Sequence, residues 1–396
     1  MPYCGAVVDY TPHRRKFGTV AATLLTLANL AQAFLFPQTW FAMLLVQASV
    51  APASFFAQSI AMWAYLNEPR EADRDAVVSA ARLWELVGGL LYILVVAGSS
   101  VAAGLDDLDT ARVGQAVAAA LGGALLAGSW AVFGERDARR SRPAGEALWL
   151  SGFTSLWTTA RWMATDEPRL ARLLGAICFI DSAAGATVSM TVVYLTQQIG
   201  VPGSEIALFI VVALVCSIPG AVLHREVLRC LGHRRNLCLV AAVYAVVLGL
   251  TILLLSGPEA RPYALAFSVP IGFTTGWVYP AMNGFVAAMV PPGRETETWG
   301  WVTFSAVVLS WAPPLVFTVI KETLGDLRLG TTSLIFFLVV GGVLAASVDD
   351  RAIPVTAGAL DQSRTTKSST RSAPGVASTP ANGVNSDEAV GDSGAA

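Results

Sequence analysis

Charge is scarce in this chain: Asp, Glu, Lys and Arg together make up 14% of its 396 residues, against about a quarter in an ordinary soluble domain. That scarcity argues against a solvated globular fold and against a nucleic-acid partner, which calls for a dense basic face. Histidine is rarer still. His13, His224 and His233 are the only three, and each lies in a basic connecting segment, so no Ser, His and Asp constellation suggests hydrolysis. The five cysteines, Cys4, Cys178, Cys216, Cys230 and Cys238, have neither paired nor metal-ligand spacing and read as small apolar packing residues. No phosphate-binding loop of the G-x-x-x-x-G-K-[ST] or G-x-G-x-x-G kind occurs. An enzyme, a metal site and a cofactor are therefore not expected, and any energy for work must come from gradients. The opening "MPYCGAVVDYTPHRRK" is too short and too polar for the apolar region of a secretory signal.

Apolar residues, by contrast, reach 54%, with a mean hydropathy of +0.58. A chain so composed belongs in a bilayer, where one crossing takes about 20 largely apolar residues. Ten stretches qualify: 17–36, 38–65, 77–103, 112–133, 172–196, 204–223, 236–256, 262–290, 299–320 and 331–348. Only helices and closed barrels satisfy every backbone group in lipid. Continuous runs such as "LLYILVVAGSSVAAG" lack the alternation of a barrel strand. The expected fold class is all-α, a polytopic helical bundle with about ten spans.

The connecting segments orient it. Seventeen Lys and Arg fall in one alternating set of loops: Arg14, Arg15 and Lys16; Arg70 and Arg74; seven between 136 and 172; Arg225, Arg229, Arg234 and Arg235; and Arg294. The opposite set holds four, Arg112, Arg261, Lys321 and Arg328. Cytoplasmic loops carry the basic excess, so both termini are expected in the cytoplasm. One segment, "EALWLSGFTSLWTTARWM", is nearly long enough to cross. As a helix, however, it gathers Trp149, Phe153 and Trp157 into one stripe and places Glu146, Ser151, Thr154 and Ser155 elsewhere, which describes a helix lying in the interface. From about 350 the composition turns to Ser, Thr, Gly, Ala and Pro, as in a disordered tail. The expected divisions are 1–133, a first bundle half; 134–171, a linker with the interfacial helix; 172–348, a second half; and 349–396, the tail.

Four spans before the linker and six after it make an uneven pair. Transporters are often built from repeats of equal span number with the substrate site between them. The segment "GAVVDYTPHRRKFG" before the first span and "GAVLHREVLRCLGHRRNL" between the second and third spans of the later half both open on Gly-Ala-Val and close on His-Arg-Arg. If they are equivalent loops, the chain opens where a second span would end. The expectation is a twelve-span plan of which spans 1 and 2 are absent; basic loops alike by chance are the plainer reading.

Ionisable groups inside a span cost about 3 kcal/mol on insertion scales, so each asks for a reason. Asp181 lies some ten residues into the fifth span. It is a candidate to carry a proton or bind a substrate amine, or else a carboxyl hydrogen-bonded to a neighbour such as Ser182. Arg82 and Glu85, three apart, suit an ion pair on one helix face near a span end. The span 262–290 holds Pro270, Gly272, Gly276 and Pro280, which predicts a kinked or interrupted helix with Trp277, Tyr279 and Asn283 nearby as candidate substrate contacts. Gln58, Ser59 and Tyr65 offer a second polar face beyond Pro52. Each of these is also a plausible packing contact. The basic loops serve as topology anchors or, alternatively, as latches in which Asp9 pairs with Arg14 and Arg15, and Arg294 with Glu295 and Glu297.

The residues Gly5, Asp9, Arg14 and Arg15, with Gly220, Gly232, Arg234 and Arg235 in the second copy, resemble the loop signature of the major facilitator superfamily. His224 stands where the second copy would have its acid. More narrowly, Pro291, Gly293, Arg294, Glu295, Glu297, Gly300, Ser310, Trp311, Pro314, Asp349 and Asp350 follow the late-loop pattern of its autophagy-related protein 22-like branch of vacuolar amino-acid effluxers, over about 9–350. This resemblance implies a gradient-driven carrier of small solutes, with neutral amino acids leaving a vacuole or lysosome, protons as a candidate co-substrate and the two basic loops as gates. The alternatives are a carrier of another small organic solute and a non-transporting scaffold or interaction protein.

Overall fold

The computed structural model describes residues 1–67, 71–135, 137–138, 148–291, 293–325 and 327–349. Every regular element among them is a helix: α1 (Pro2–Asp9), α2 (Arg14–Gln32), α3 (Trp40–Trp63), α4 (Glu71–Ala103), α5 (Asp107–Val117), α6 (Gly123–Val132), α7 (Leu148–Thr165), α8 (Pro168–Tyr194), α9 (Gly203–Leu254), α10 (Arg261–Met289), α11 (Glu295–Val308), α12 (Ala312–Leu324) and α13 (Leu327–Ala346). The expected disordered tail, with Asp350, lies outside the described residues, as do Glu146 and the side chain of Trp149.

All ten expected spans fall on helices, but the breaks come elsewhere than expected. Seven helical stretches among the described residues are long and apolar enough to cross a membrane. One of them, Glu205–Leu254, holds two expected spans and turns at Gly232, whose φ of 76° is open to glycine at no steric cost. α2 and α10 fall outside the seven. Three basic residues open α2 and Asn29 and Gln32 lie near its end, while α10 is diluted by prolines and glycines. α10 runs as one helix through both Pro270 and Pro280, without the interruption that was one of two readings of its breakers. The interruption falls at 309–311 instead, between α11 and α12, just ahead of Pro313 and Pro314. Residues 118–122, between α5 and α6, widen into a π turn without ending that span.

Packing explains the α10 glycines. A Cβ on Gly272, Gly276 or Gly220 would overlap the carbonyl oxygens of Ala213, Ser217 and Phe273 respectively. α9 and α10 therefore touch backbone to backbone, as small residues permit in lipid, where van der Waals contact rather than water exclusion holds helices together. Ser217 Oγ reinforces the seam by donating to the Gly272 carbonyl at 2.8 Å. The principal core joins α8, α9, α10, α11 and α13 through Leu173, Ile180, Tyr244, Phe285, Trp299 and Leu334. Large apolar residues such as Leu27, Trp84, Leu253 and Val343 point outward, as a hydrocarbon solvent requires.

α7 has one buried and one exposed face. Ser155, Thr159 and Met163 are buried, while Phe153 and Trp157 are exposed. The buried face lies on α1, where Gly152 fits beneath Tyr3 and Val7.

Candidate functional site

Among the described residues, contacts join the basic loops to one another and to the neighbouring helix ends, here called the basic end. There α1 of the first half lies on α11 of the second. A Cβ on Gly5 would overlap the carbonyl of Thr296, and one on Gly300 would stand 2.8 Å from Pro2 Cα. These two bare positions bring Asp9 onto the first turn of α11. The opening N–H groups of a helix have no partner within it, and the residue at the N-cap of α11, Arg294, provides no side-chain cap. Asp9 supplies one from another helix: its carboxylate accepts from the N–H of Glu297 at 2.9 Å and of Thr296 at 3.3 Å. It also pairs with Arg14 at 3.2 Å, and neither side chain exceeds 3% exposure. Asp9 ends α1 in the basic loop, outside the spans. Burial pushes its carboxyl up to about 6, against the opposing pull of Thr296, the Glu297 N–H and Arg14.

The remaining latch residues divide. Arg15 does not meet Asp9; its Nε donates to the Trp130 carbonyl at 2.9 Å, closing the end of α6. The expected pairing of Arg294 with Glu295 and Glu297 is also corrected. Arg294 donates to Thr159 Oγ1 at 3.2 Å and lies 4.8 Å over the Trp162 ring, both near α7's end. Glu297 accepts from Ser155 Oγ at 2.9 Å, and Glu295 is buried beside it. α7 thus holds the loop that leads into α11. Trp63 of α3 stacks on Trp299 at 5.3 Å, a further contact between the halves.

The second basic loop meets α4. Trp277 Nε1 donates to Asn236 Oδ1 at 2.9 Å, which turns the Asn236 amide nitrogen toward His224 Nδ1, also 2.9 Å away. His224 Nδ1 must then accept, so the neutral ring carries its proton on Nε2. Nε2 faces a small space beside Gly284: a Cβ built there would lie 3.4 Å from Asp75 Oδ1, 3.7 Å from His224 Nε2 and 3.9 Å from His233 Cε1. His233 Nε2 is 3.9 Å from Asp75 Oδ2, and its ring stacks on Phe285 at 5.8 Å. Two histidines of the second half and a carboxylate of the first therefore converge. Arg234 reaches the Val348 carbonyl at 3.4 Å, and Arg235 is exposed.

Deeper in, a polar layer crosses the bundle. Arg82 is eleven residues from the start of α4, Asp181 thirteen from the start of α8, Tyr279 ten from the end of α10, and Tyr244 twelve beyond the Gly232 turn. At about 1.5 Å per residue all four stand roughly 15–20 Å from the helix ends at the basic end, inside the bundle. The Arg82 guanidinium lies 4.5 Å over the Tyr279 ring and donates to Glu85 at 2.6 Å. The pairing expected of Arg82 and Glu85 is present, but Arg82 also reaches across to the second half. Asp181 and Tyr244 stand within electrostatic range of the Tyr279 hydroxyl. Tyr244 and Thr275 share a hydrogen bond of 2.9 Å. Ser182 donates to the Cys178 carbonyl at 2.6 Å, so it is not the partner of Asp181.

Of the six candidate contacts, the layer brings together Asp181 and Tyr279. Asn283 follows one turn after Tyr279 on the same face. Trp277 is buried and committed to Asn236. Gln58 is buried and donates to Ser59 Oγ at 3.1 Å, its Oε1 without a partner. Tyr65 lies at the basic end, donating to the Gly134 carbonyl at 3.0 Å and stacking on Phe133 at 4.6 Å. Sequence reasoning passed over Tyr244 and left Arg82 at the interface; a cation one and a half turns inside an apolar run was the available signal. At the opposite end a cavity of about 600 Å³ opens between Leu195, Phe209 and Leu265, beside an ion pair of 2.6 Å between Glu205 and Arg261.

Comparison with known proteins follows the same lines. The E. coli fucose:proton symporter FucP superposes with a TM-score of 0.64 at 13% identity, over 87% of this chain and 86% of that one. The human organic anion transporter MFSD10 gives 0.61 at 15%, over 87% and 79%. The proton:xylose symporter XylE, bound to 6-bromo-6-deoxy-D-glucose, gives 0.56 at 14%, over 86% and 83%. These likenesses show the major facilitator fold. No curated protein matches the chain by sequence. The family model described as "Vacuole effluxer Atg22 like" matches residues 66–353, so the match takes in α4 to α13 and begins after the first basic loop. A helical bundle with the major facilitator fold, matched by that model over most of its length, belongs to the Atg22-like vacuole effluxer family.

Proposed function

We propose that the chain is a gradient-driven carrier that moves neutral amino acids out of a vacuole or lysosome, with its basic end in the cytoplasm. The observation that carries this reading is Asp181. It is a carboxyl about halfway along a span, half-buried, in one layer with Arg82, Tyr244 and Tyr279, where an ionisable group is costly unless it has work to do. A carboxyl there can hold a proton or the ammonium of a solute. The family and the proton-coupled symporters among its structural relatives support a secondary transporter. The latches give it a gate: with Asp9 on α11 and Asp75 against His224 and His233, the cytoplasmic side is closed and the layer is reached from the lumen. Releasing both contacts opens the other path, in the manner of two halves rocking about a fixed site.

The test is uptake of labelled neutral amino acids by the purified chain in proteoliposomes across a range of pH, with Asp181→Asn alongside. Wild-type uptake that falls at least tenfold in Asp181→Asn is expected. Full activity with unchanged pH dependence in the variant would remove Asp181 from the mechanism. A folded wild type that moves no solute would favour a scaffold.

A further inference from the structure

In the polar layer a guanidinium of the first half and a carboxyl of the second both have hydrogen-bonding capacity to spare. On the first half, the Arg82 side chain is 13% exposed, and its Nη1 is taken by Glu85. Its Nε, buried, has no partner. On the second half, Asp181 makes no hydrogen bond or ion pair with any described residue, and neither does the Tyr279 hydroxyl. Tyr279 lies beneath the guanidinium at 4.5 Å, and its hydroxyl is within electrostatic range of Asp181.

We infer that Arg82 and Asp181 form a clamp for a zwitterion, the guanidinium taking the carboxylate and Asp181 the ammonium of one α-amino acid seated against Tyr279. The inference rests on the carrier reading above and adds Arg82 as its specificity-determining residue. The chemistry follows from what each half leaves open. Glu85 occupies one nitrogen and the Tyr279 ring supports the guanidinium plane, so the fork is held with its Nε edge free. That edge presents two parallel N–H donors, the arrangement that matches a carboxylate. A plain cation would satisfy Asp181 but leave the Nε edge of Arg82 without an acceptor, a plain anion would answer that edge but meet Asp181, and an uncharged polyol would bring neither a carboxylate to the edge nor a counter-charge to Asp181. A zwitterion answers both. Because one charge belongs to α4 and the other to α8, the solute also joins the two halves that must move together.

Equilibrium binding to the full chain in nanodiscs tests this with three probes of one shape: L-leucine, leucinamide, which lacks the carboxylate, and 4-methylpentanoate, which lacks the ammonium. Wild type is expected to bind leucine at least tenfold more tightly than either analogue. Arg82→Gln should abolish the preference over leucinamide and keep that over 4-methylpentanoate; Asp181→Asn should do the opposite. Arg82→Lys, which keeps the charge without the fork, should fall between and guards against a Gln variant that fails to fold. A folded Arg82→Gln or Arg82→Lys with the full wild-type preference over leucinamide would overturn the clamp. So would a wild type that transports leucine and leucinamide equally, although the carrier reading would then stand. If the crossed binding pattern appears but proteoliposomes move no solute, the clamp stands and the carrier reading fails.

Discussion

Asp9 and His224 occupy equivalent places in two similar basic loops, and they join the halves by opposite means. In the first loop the anion is on the loop: Asp9 caps the start of α11 and holds buried Arg14. In the second the anion is on the other half: Asp75 of α4 faces His224 and His233. Charge against a helix N-terminus with a buried counter-ion is a strong arrangement. A neutral imidazole, fixed in one tautomer through Asn236 and Trp277, against a carboxylate with a histidine 3.9 Å away is a weaker one. The comparison teaches that one architectural need can be met with either polarity, and that in the proposed carrier the second contact yields first.

The largest effect should come from breaking the first latch. Asp9→Ala leaves Arg14 buried without its counter-ion and two α11 N–H groups without an acceptor. Removing one partner of such a pair costs about 3–5 kcal/mol. The melting temperature of the purified protein should fall, and amide exchange at Thr296 and Glu297 should accelerate, with Asp9→Asn less affected because its amide oxygen still accepts.

Next comes the exchange of polarity. If the two loops were interchangeable, His224→Asp would restore the first loop's design. It should do the reverse, setting a second carboxylate against Asp75 at a cost of up to about 4 kcal/mol for like charges some 4 Å apart near a surface. Hydrogen exchange in the first turn of α4 reads this directly; unchanged protection would mean that the loops are equivalent after all.

The smallest effect is the pH response of the first latch. The Asp9 carboxyl is raised from 3.8 to about 6 when packed, so its contribution favours the packed state fully below 3.8 and is lost as pH rises through about 6. Acidifying the basic side from about pH 7.5 to 5.5 should therefore increase the closed population about fourfold if Asp9 is solvated in the open state. Exchange at the Glu297 amide, corrected for its intrinsic pH dependence, measures the gain, and Asp9→Asn should show none.

What could be read in the sequence is what depends on neighbours along the chain. Hydropathy and loop charge located the helices, and the cost of burial singled out Asp181. The stripe of Phe153 and Trp157 anticipated the outward face of α7. What could not be read are contacts between distant segments. Asp9 meets the α11 amides across 287 and 288 residues, and no local pattern distinguishes that cap from an anchor. Trp277 looked available for a solute until Asn236, 41 residues away, claimed its N–H. The breaker-rich α10 stayed whole because its glycines face the α9 backbone, while Gly232 and the 309–311 segment turned the chain instead. Arg82 was legible as a paired cation but not as one that crosses to Tyr279.

The most direct test of a carrier with a central polar layer between two dissimilar latches is counterflow: labelled leucine entering proteoliposomes preloaded with unlabelled leucine. Wild type should give a transient overshoot that Asp181→Asn abolishes and that His224→Asp alters in rate while leaving it present. A monodisperse, fully helical wild type with no overshoot would contradict the carrier.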